Sequence, residues 1–208
     1  MLTKVIFSLL SIALVAGLAW YFWSGDTAVK NVPLRATGPI LFFGDSLVEG
    51  MGASIGHDLS SLLTKSLGEP VLNYGVSGDT TRQGVARLSV ARNEKPRLVL
   101  ILLGGNDFLQ KVPRTETFAN LERIIAGFQS DGAAVILIGV RSGIIGGGAD
   151  DEFEALAEKT GSHSVEDVLQ EVFANQSLMS DAIHPNDRGY EKIAGRILNE
   201  IRPILEAR

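Results

Sequence analysis

The stretch Ile40-Leu41-Phe42-Phe43-Gly44-Asp45-Ser46-Leu47 sets the reading of the fold. Its unbroken apolar run, with no polar residue on alternate positions, suits a strand covered on both faces, as strands of parallel sheets are. Gly44 ends the run, and Asp45 and Ser46 are residue types that open helices. Three more runs of this kind follow, at Val71 to Tyr74, Leu98 to Leu103 and Ala134 to Val140. Between them lie segments of helical period. Phe118, Leu121, Ile125 and Phe128 fall on one stripe, as do Tyr190, Ile193, Ala194, Ile197, Ile201 and Leu205 near the C-terminus. This alternation predicts an α/β domain with a parallel sheet and helices on both sides. The stretch 143–164 reads least clearly: a Gly-rich piece precedes an acidic helix candidate over 150–159, and no fifth strand is evident there.

Composition narrows the class. The 208 residues are 45% apolar and 21% charged, enough for one domain of ordinary size with a modest extension. The absence of cysteine excludes a disulfide framework, a thiolate metal site, a thiol nucleophile and a lipidated cysteine. A net charge of −5, without a cluster of Lys and Arg, argues against nucleic acid as a partner. Oligomeric state is not legible.

Val5 to Trp23 holds no charged residue, and about 20 such residues at roughly 1.5 Å each span a bilayer core. Residues 1–23 are therefore expected to be an N-terminal transmembrane anchor or a signal peptide. Gly17-Leu18-Ala19 offers a small-x-small cleavage site, whereas Trp20, Tyr21 and Trp23 suit the interface of an uncleaved span. Lys4, the only charge before the segment, keeps the N-terminus cytoplasmic and places the rest outside: anchored to the membrane if uncut, secreted if cut. Residues 24–37, polar and carrying Pro33, suit a linker to a domain over 38–208.

In an open parallel sheet, ligands bind beyond the carboxyl ends of the strands. Four polar blocks fall at such ends. Gly44-Asp45-Ser46-Leu47 follows the first strand; read alone, it is also a plain N-cap. Asn73-Tyr74-Gly75-Val76-Ser77-Gly78-Asp79-Thr80-Thr81 follows the second, with glycines that bare backbone N–H groups for an anion or simply turn the chain. Gly104-Gly105-Asn106-Asp107 follows the third, where Asn106 either aims its amide at a site or bonds to its own turn. Asp181-Ala182-Ile183-His184-Pro185 precedes the last helix. Its spacing lets Asp181 accept from His184 Nδ1 and leaves Nε2 as a base, though an acid and a surface histidine beside a helix start read the same.

Taken together and in this order, the four blocks resemble the SGNH, or GDSL, hydrolase family, over about Ile40 to His184 plus the closing helix. The nearest subgroup is the compact bacterial thioesterase I, arylesterase and lysophospholipase-like one. The resemblance implies a flavodoxin-like three-layer α/β/α sandwich of about five parallel strands and a serine esterase acting on carboxylic esters or thioesters, lipids among them. It makes Ser46 the nucleophile, His184 the base and Asp181 its orienting acid. The Ser46 and Gly78 N–H groups and the Asn106 amide become the oxyanion donors. Asp45, Ile144 and Ile145 are the candidates for substrate contact. No metal or cofactor is expected, since His57 and His163 lack partners at ligand spacing.

Three rivals stand beside this reading. An extracytoplasmic carbohydrate O-acetyl esterase of the same family would differ in preferring acetyl over longer acyl groups. A nucleotide site at Gly143-Ile144-Ile145-Gly146-Gly147-Gly148 lacks both the P-loop Lys-Ser/Thr and dinucleotide spacing, and the acids that follow would repel phosphate. A non-catalytic binder would have no use for all five catalytic-type residues.

Overall fold

The computed structural model describes residues 29–35, 37–139, 149–166 and 168–207. The segment 1–23 and the candidates Ile144 and Ile145 lie outside them. Among the described residues no helix is long and apolar enough to cross a membrane.

Five strands form one parallel sheet: β1 (Ile40–Gly44), β2 (Val71–Gly75), β3 (Leu98–Leu102), β4 (Ala134–Ile138) and β5 (His163–Val165), in the order β2-β1-β3-β4-β5. Every residue of β1, β3 and β4 is buried, odd and even positions alike, so the middle of the sheet is covered on both faces. That is the physical content of their continuous apolar runs. The edge strands differ: β2 and β5 bury only some of their residues. The predicted strands coincide with the observed ones to within two residues. The fifth, which the sequence did not reveal, is three residues long and pairs with Ile136, Leu137 and Ile138 of β4.

The helices are α1 (Ser46–Glu49), α2 (Leu59–Leu67), α3 (Thr81–Arg92), α4 (Gly105–Leu109), α5 (Arg114–Ser130), α6 (Ala149–Thr160), α7 (Gln170–Phe173) and α8 (Asp187–Glu206). Helix α5 packs on α3 and α6, and α8 packs on α2. The α5 stripe buries Leu121, Ile125 and Phe128, while Phe118 is half-buried and meets Phe153 edge-on at 5.1 Å. The α8 stripe buries Tyr190, Ile193, Ala194, Ile197 and Ile201, with Ile204 in place of the half-buried Leu205. Of the predicted linker, residues 29–35 lie against the amino-terminal end of the sheet. Asn31 Nδ2 donates to the carbonyls of Gln129 (3.0 Å) and Ala133 (2.8 Å), and Arg35 donates to the Pro96 carbonyl at 2.6 Å.

The chain runs from β1 outward to β2, then returns across β1 to begin β3 on its other side. Such a reversal of strand order opens a crevice at the carboxyl ends of the two strands that flank it. Asp45, Ser46, Gly104 and Asn106 lie just beyond those ends.

Candidate active site

Gly44 delivers the chain from β1 directly into α1. Asp45 is the N-cap, its carboxylate accepting from the Leu47 N–H at 3.1 Å, and Ser46 is the first helical residue. The cap of this block is Asp45, so the Ser46 side chain is not used in capping.

His184 Nε2 stands 3.1 Å from Ser46 Oγ, and His184 Nδ1 stands 2.8 Å from Asp181 Oδ2. The second oxygen of Asp181 accepts the N–H groups of Ile183 and His184, each at 2.7 Å. These bonds, led by the one from the His184 ring, hold the Asp181 carboxyl down at about 2, so it stays ionised beside the imidazole. The loop is tied at both ends. Ser180 donates N–H (2.8 Å) and Oγ–H (3.0 Å) to the His184 carbonyl, and Asn186 caps α8 by accepting from the Gly189 N–H. The buried Tyr190 hydroxyl donates to the Met51 carbonyl at 2.7 Å, and Met51 N–H in turn bonds the Ser46 carbonyl. The histidine's loop and the serine's helix are thereby linked through α8. Burial raises the Tyr190 phenol, so it remains a donor.

The other two blocks close over the same crevice. Val76 N–H donates to the Gly44 carbonyl at 3.1 Å, which sets the Val76-Ser77-Gly78 turn against the start of α1. Gly78 has φ +82°, a conformation glycine adopts without strain, and its N–H, like that of Ser46, meets no acceptor among the described residues. Asn106 Nδ2 donates one hydrogen to the Asp79 carbonyl at 3.0 Å, and its second makes only a longer contact. Asp45 Oδ2 is 3.5 Å from the same amide nitrogen, at the limit of a hydrogen bond. The Asp45 carboxyl is 4% exposed and is pushed up to about 6, chiefly by burial, against the lowering effect of the Leu47 N–H.

This arrangement suits acyl transfer: an alcohol within hydrogen-bond distance of an imidazole, and the imidazole within that of a carboxylate, beside two N–H groups without an acceptor among the described residues and an amide. The sequence profile described as the GDSL-like Lipase/Acylhydrolase family matches residues 42–192. The chain belongs to this family.

This GDSL hydrolase is 30% identical to Esterase TesA of Pseudomonas aeruginosa over 178 residues, which cover 80% of its chain and 89% of the relative's. It is also 30% identical to Thioesterase 1/protease 1/lysophospholipase L1 of Escherichia coli, over 82% of its chain and 86% of that one. A crystal structure of TesA matches it with a TM-score of 0.74 at 30% identity, covering 80% of this chain and 99% of that one. The GDSL hydrolase described here is accordingly an ester-hydrolysing enzyme.

Sequence reasoning gave no role to two groups behind the crevice wall, Asp107 of the third block and Arg87. Asp107, 1% exposed, accepts from Thr81 N–H (2.8 Å), Thr81 Oγ (2.5 Å) and Thr117 Oγ (3.2 Å), fastening α4 to the start of α3. Arg87 lies beneath the Gly78 turn. The other two histidines sit apart from the crevice, His57 near Asp187 and Glu191 and His163 near Glu200.

Proposed function

We propose that the enzyme hydrolyses carboxylic esters or thioesters through a Ser46-His184-Asp181 triad and an acyl-enzyme. The observation carrying this reading is the line Asp181–His184–Ser46, at 2.8 and 3.1 Å, placed where the strand order reverses. Ser46 Oγ attacks the acyl carbon as its proton passes to His184 Nε2. The carbonyl π pair moves onto oxygen, facing the Ser46 N–H, the Gly78 N–H and the Asn106 Nδ2 hydrogen that exchanges its long 3.5 Å contact with Asp45 for the oxyanion. Collapse expels the alcohol or thiol, protonated by His184, and leaves an ester on Ser46. Water then attacks that ester, with the same imidazole removing its proton, and Ser46 is released with the acid product. Asp181 holds the imidazole with Nδ1 protonated and stabilises the imidazolium between the two transfers. No step requires a metal or cofactor.

A preference for acyl chains over acetyl groups is proposed from the thioesterase and lysophospholipase relative; the recess next to the third block, lined by Phe108, Val112, Arg114, Thr117, Phe118 and Phe153, has a volume of about 30 Å³ and is too small to hold such a chain. Phe108 is two residues past Asn106. Asp45 does not serve as a substrate contact in this reading, because its carboxyl is buried behind the amide. The division into a membrane segment 1–23, a linker 24–37 and a hydrolase domain 38–208, with the domain outside the cytoplasm, is part of the same proposal and rests on the apolar run and Lys4.

Hydrolysis of p-nitrophenyl esters from acetate to octanoate tests both points. Activity rising with chain length and abolished in Ser46→Ala is the expected result. Turnover surviving Ser46→Ala would reject the nucleophile, and a maximum at acetate would favour the carbohydrate O-acetyl esterase.

A further inference from the structure

The guanidinium of Arg87, on α3, makes three hydrogen bonds to three different segments. Nε donates to Asp79 Oδ2 at 2.6 Å, Nη1 to the Tyr74 carbonyl at 2.9 Å, and Nη2 to the Gly44 carbonyl at 2.7 Å. Its plane lies over the Phe43 ring, 4.0 Å from the centroid, and its side chain is 20% exposed against 10% for that of Asp79. Ring stacking on one side and a planar fork of donors on the other leave the group a single orientation.

Each acceptor adjoins one of the groups that face the developing oxyanion. Gly44 is two residues before Ser46. Tyr74 is the penultimate residue of β2, the strand that leads into the Gly78 turn. Asp79 directly follows Gly78, and its own carbonyl receives the Asn106 amide at 3.0 Å. Gly78 itself makes few contacts among the described residues: beyond its chain neighbours nothing lies within 4 Å of where a Cβ would stand, and its N–H has no acceptor, while the turn around it is held by Ser77 N–H to Glu49 Oε2 at 2.6 Å and Asp79 N–H to the Val76 carbonyl at 3.2 Å. The direction of that N–H is therefore set by its neighbours, Ser77 held through its own N–H by Glu49 and Asp79 held through its side chain by Arg87. The Asn106 rotamer depends on Asp79 as well, through its carbonyl.

From this convergence we infer that Arg87 is a positioning residue for the oxyanion pocket, aligning the Ser46 and Gly78 N–H groups and the Asn106 amide through one guanidinium. The inference rests on the oxyanion roles proposed above. Lysine keeps the charge and reaches Asp79, but a single tetrahedral ammonium cannot serve the carboxylate and two carbonyls in one plane.

Arg87→Lys is the test. Deleting one oxyanion donor outright costs about 10²- to 10³-fold in kcat, so misaligning donors that remain present should cost roughly 10- to 100-fold, with KM within about threefold. The readout that a merely structural role would not move is the affinity for a trifluoromethyl ketone, whose carbonyl adds Ser46 Oγ to give a bound oxyanion. Its Ki should rise by the same factor as kcat/KM falls, while the Ki of the carboxylic acid product stays constant. Arg92→Lys, on the same helix and paired with Asp131 at 2.7 Å away from the crevice, should leave kcat unchanged. Should Arg87→Lys fail to fold, Asp79→Asn, which keeps the backbone carbonyl and weakens the ion pair, should show the same ketone-selective loss. A folded Arg87→Lys with wild-type kcat and ketone affinity overturns the inference, as does a ketone Ki that rises only in step with the product Ki. Asn106→Ala separates the two levels. If it loses kcat while Arg87→Lys does not, only the role of Arg87 fails; if it keeps full kcat, the oxyanion reading itself fails.

Discussion

Replacing Asp45 with Asn should change how the stability of the fold depends on pH. The Asp45 carboxyl is 4% exposed, and its one good hydrogen bond is from the Leu47 N–H; the nearby buried acids Asp79 and Asp107 add repulsion. Burial dominates and moves it from an ordinary 3.8 to about 6. Between those two values the folded protein holds a proton that the unfolded chain has released. Stability is thus highest below 3.8 and declines as pH rises through about 6, by about 3 kcal/mol in all. For a domain of this size each kcal/mol corresponds to roughly 2–4 °C, so the decline amounts to about 6–12 °C in Tm. Asn keeps an oxygen for the Leu47 N–H and cannot ionise, so Asp45→Asn should lack this component. The assay is thermal unfolding of both proteins at pH values from 3.5 to 7.5. The Tm difference, variant minus wild type, should grow by that amount between pH 4 and 7. Asp181 acts with the opposite sign: its carboxyl is held down at about 2, so its contribution is present above 3.8 and lost as pH falls further. That lies below the window and is common to both proteins. A Tm difference that is the same at pH 4 and pH 7 would refute the account of Asp45.

Two more substitutions probe the parts that hold the site. Asp181→Asn replaces the acceptor of the His184 Nδ1–H bond with a group that can turn its amide toward the ring, favouring the unproductive tautomer. The kcat for p-nitrophenyl esters should fall roughly 10²- to 10⁴-fold with KM little altered; a loss below tenfold would mean that solvent orients the imidazole as well as Asp181 does. Gly75→Ala would place a Cβ against the Glu49 N–H and 2.6 Å from both Glu49 Cα and the Val48 carbonyl carbon, the backbone of α1 itself. Overpacking of this kind costs about 1–3 kcal/mol, so Tm should drop by about 2–12 °C and kcat should fall as the helix bearing Ser46 shifts; wild-type melting and turnover would show that α1 is free to move.

What the sequence discloses about this enzyme is mostly what neighbours along the chain decide between them. The inner strands are legible because burial on both faces leaves no place for a polar residue in Ile40–Phe43, Leu98–Leu102 or Ala134–Ile138. His163–Val165 is not, because three edge residues, half-covered at His163 and Ser164 and buried only at Val165, become a strand through the ladder that β4 offers them. The same division runs through the site. Asp181 and His184 are three residues apart, and their geometry is a property of one turn. Arg87 reaches Gly44, 43 positions away, and Tyr190 reaches Met51, 139 positions away. An arginine within the weakly amphipathic run Thr81–Arg92 reads as a solvent-facing residue, and a tyrosine on the α8 stripe reads as core. Their hydrogen bonds exist only because the sheet order brings the ends of β1 and β2 side by side over α3, and because α8 closes against the loop after α1. On the proposed mechanism, a four-block motif can therefore name the atoms that react while leaving out the group inferred to aim them. In the proposed reading the serine and the oxyanion donors lie just past strand ends and the histidine and its acid in one turn before α8, places that local chain chemistry marks, whereas the aiming group need only lie within reach of several strand ends at once, a condition set by topology.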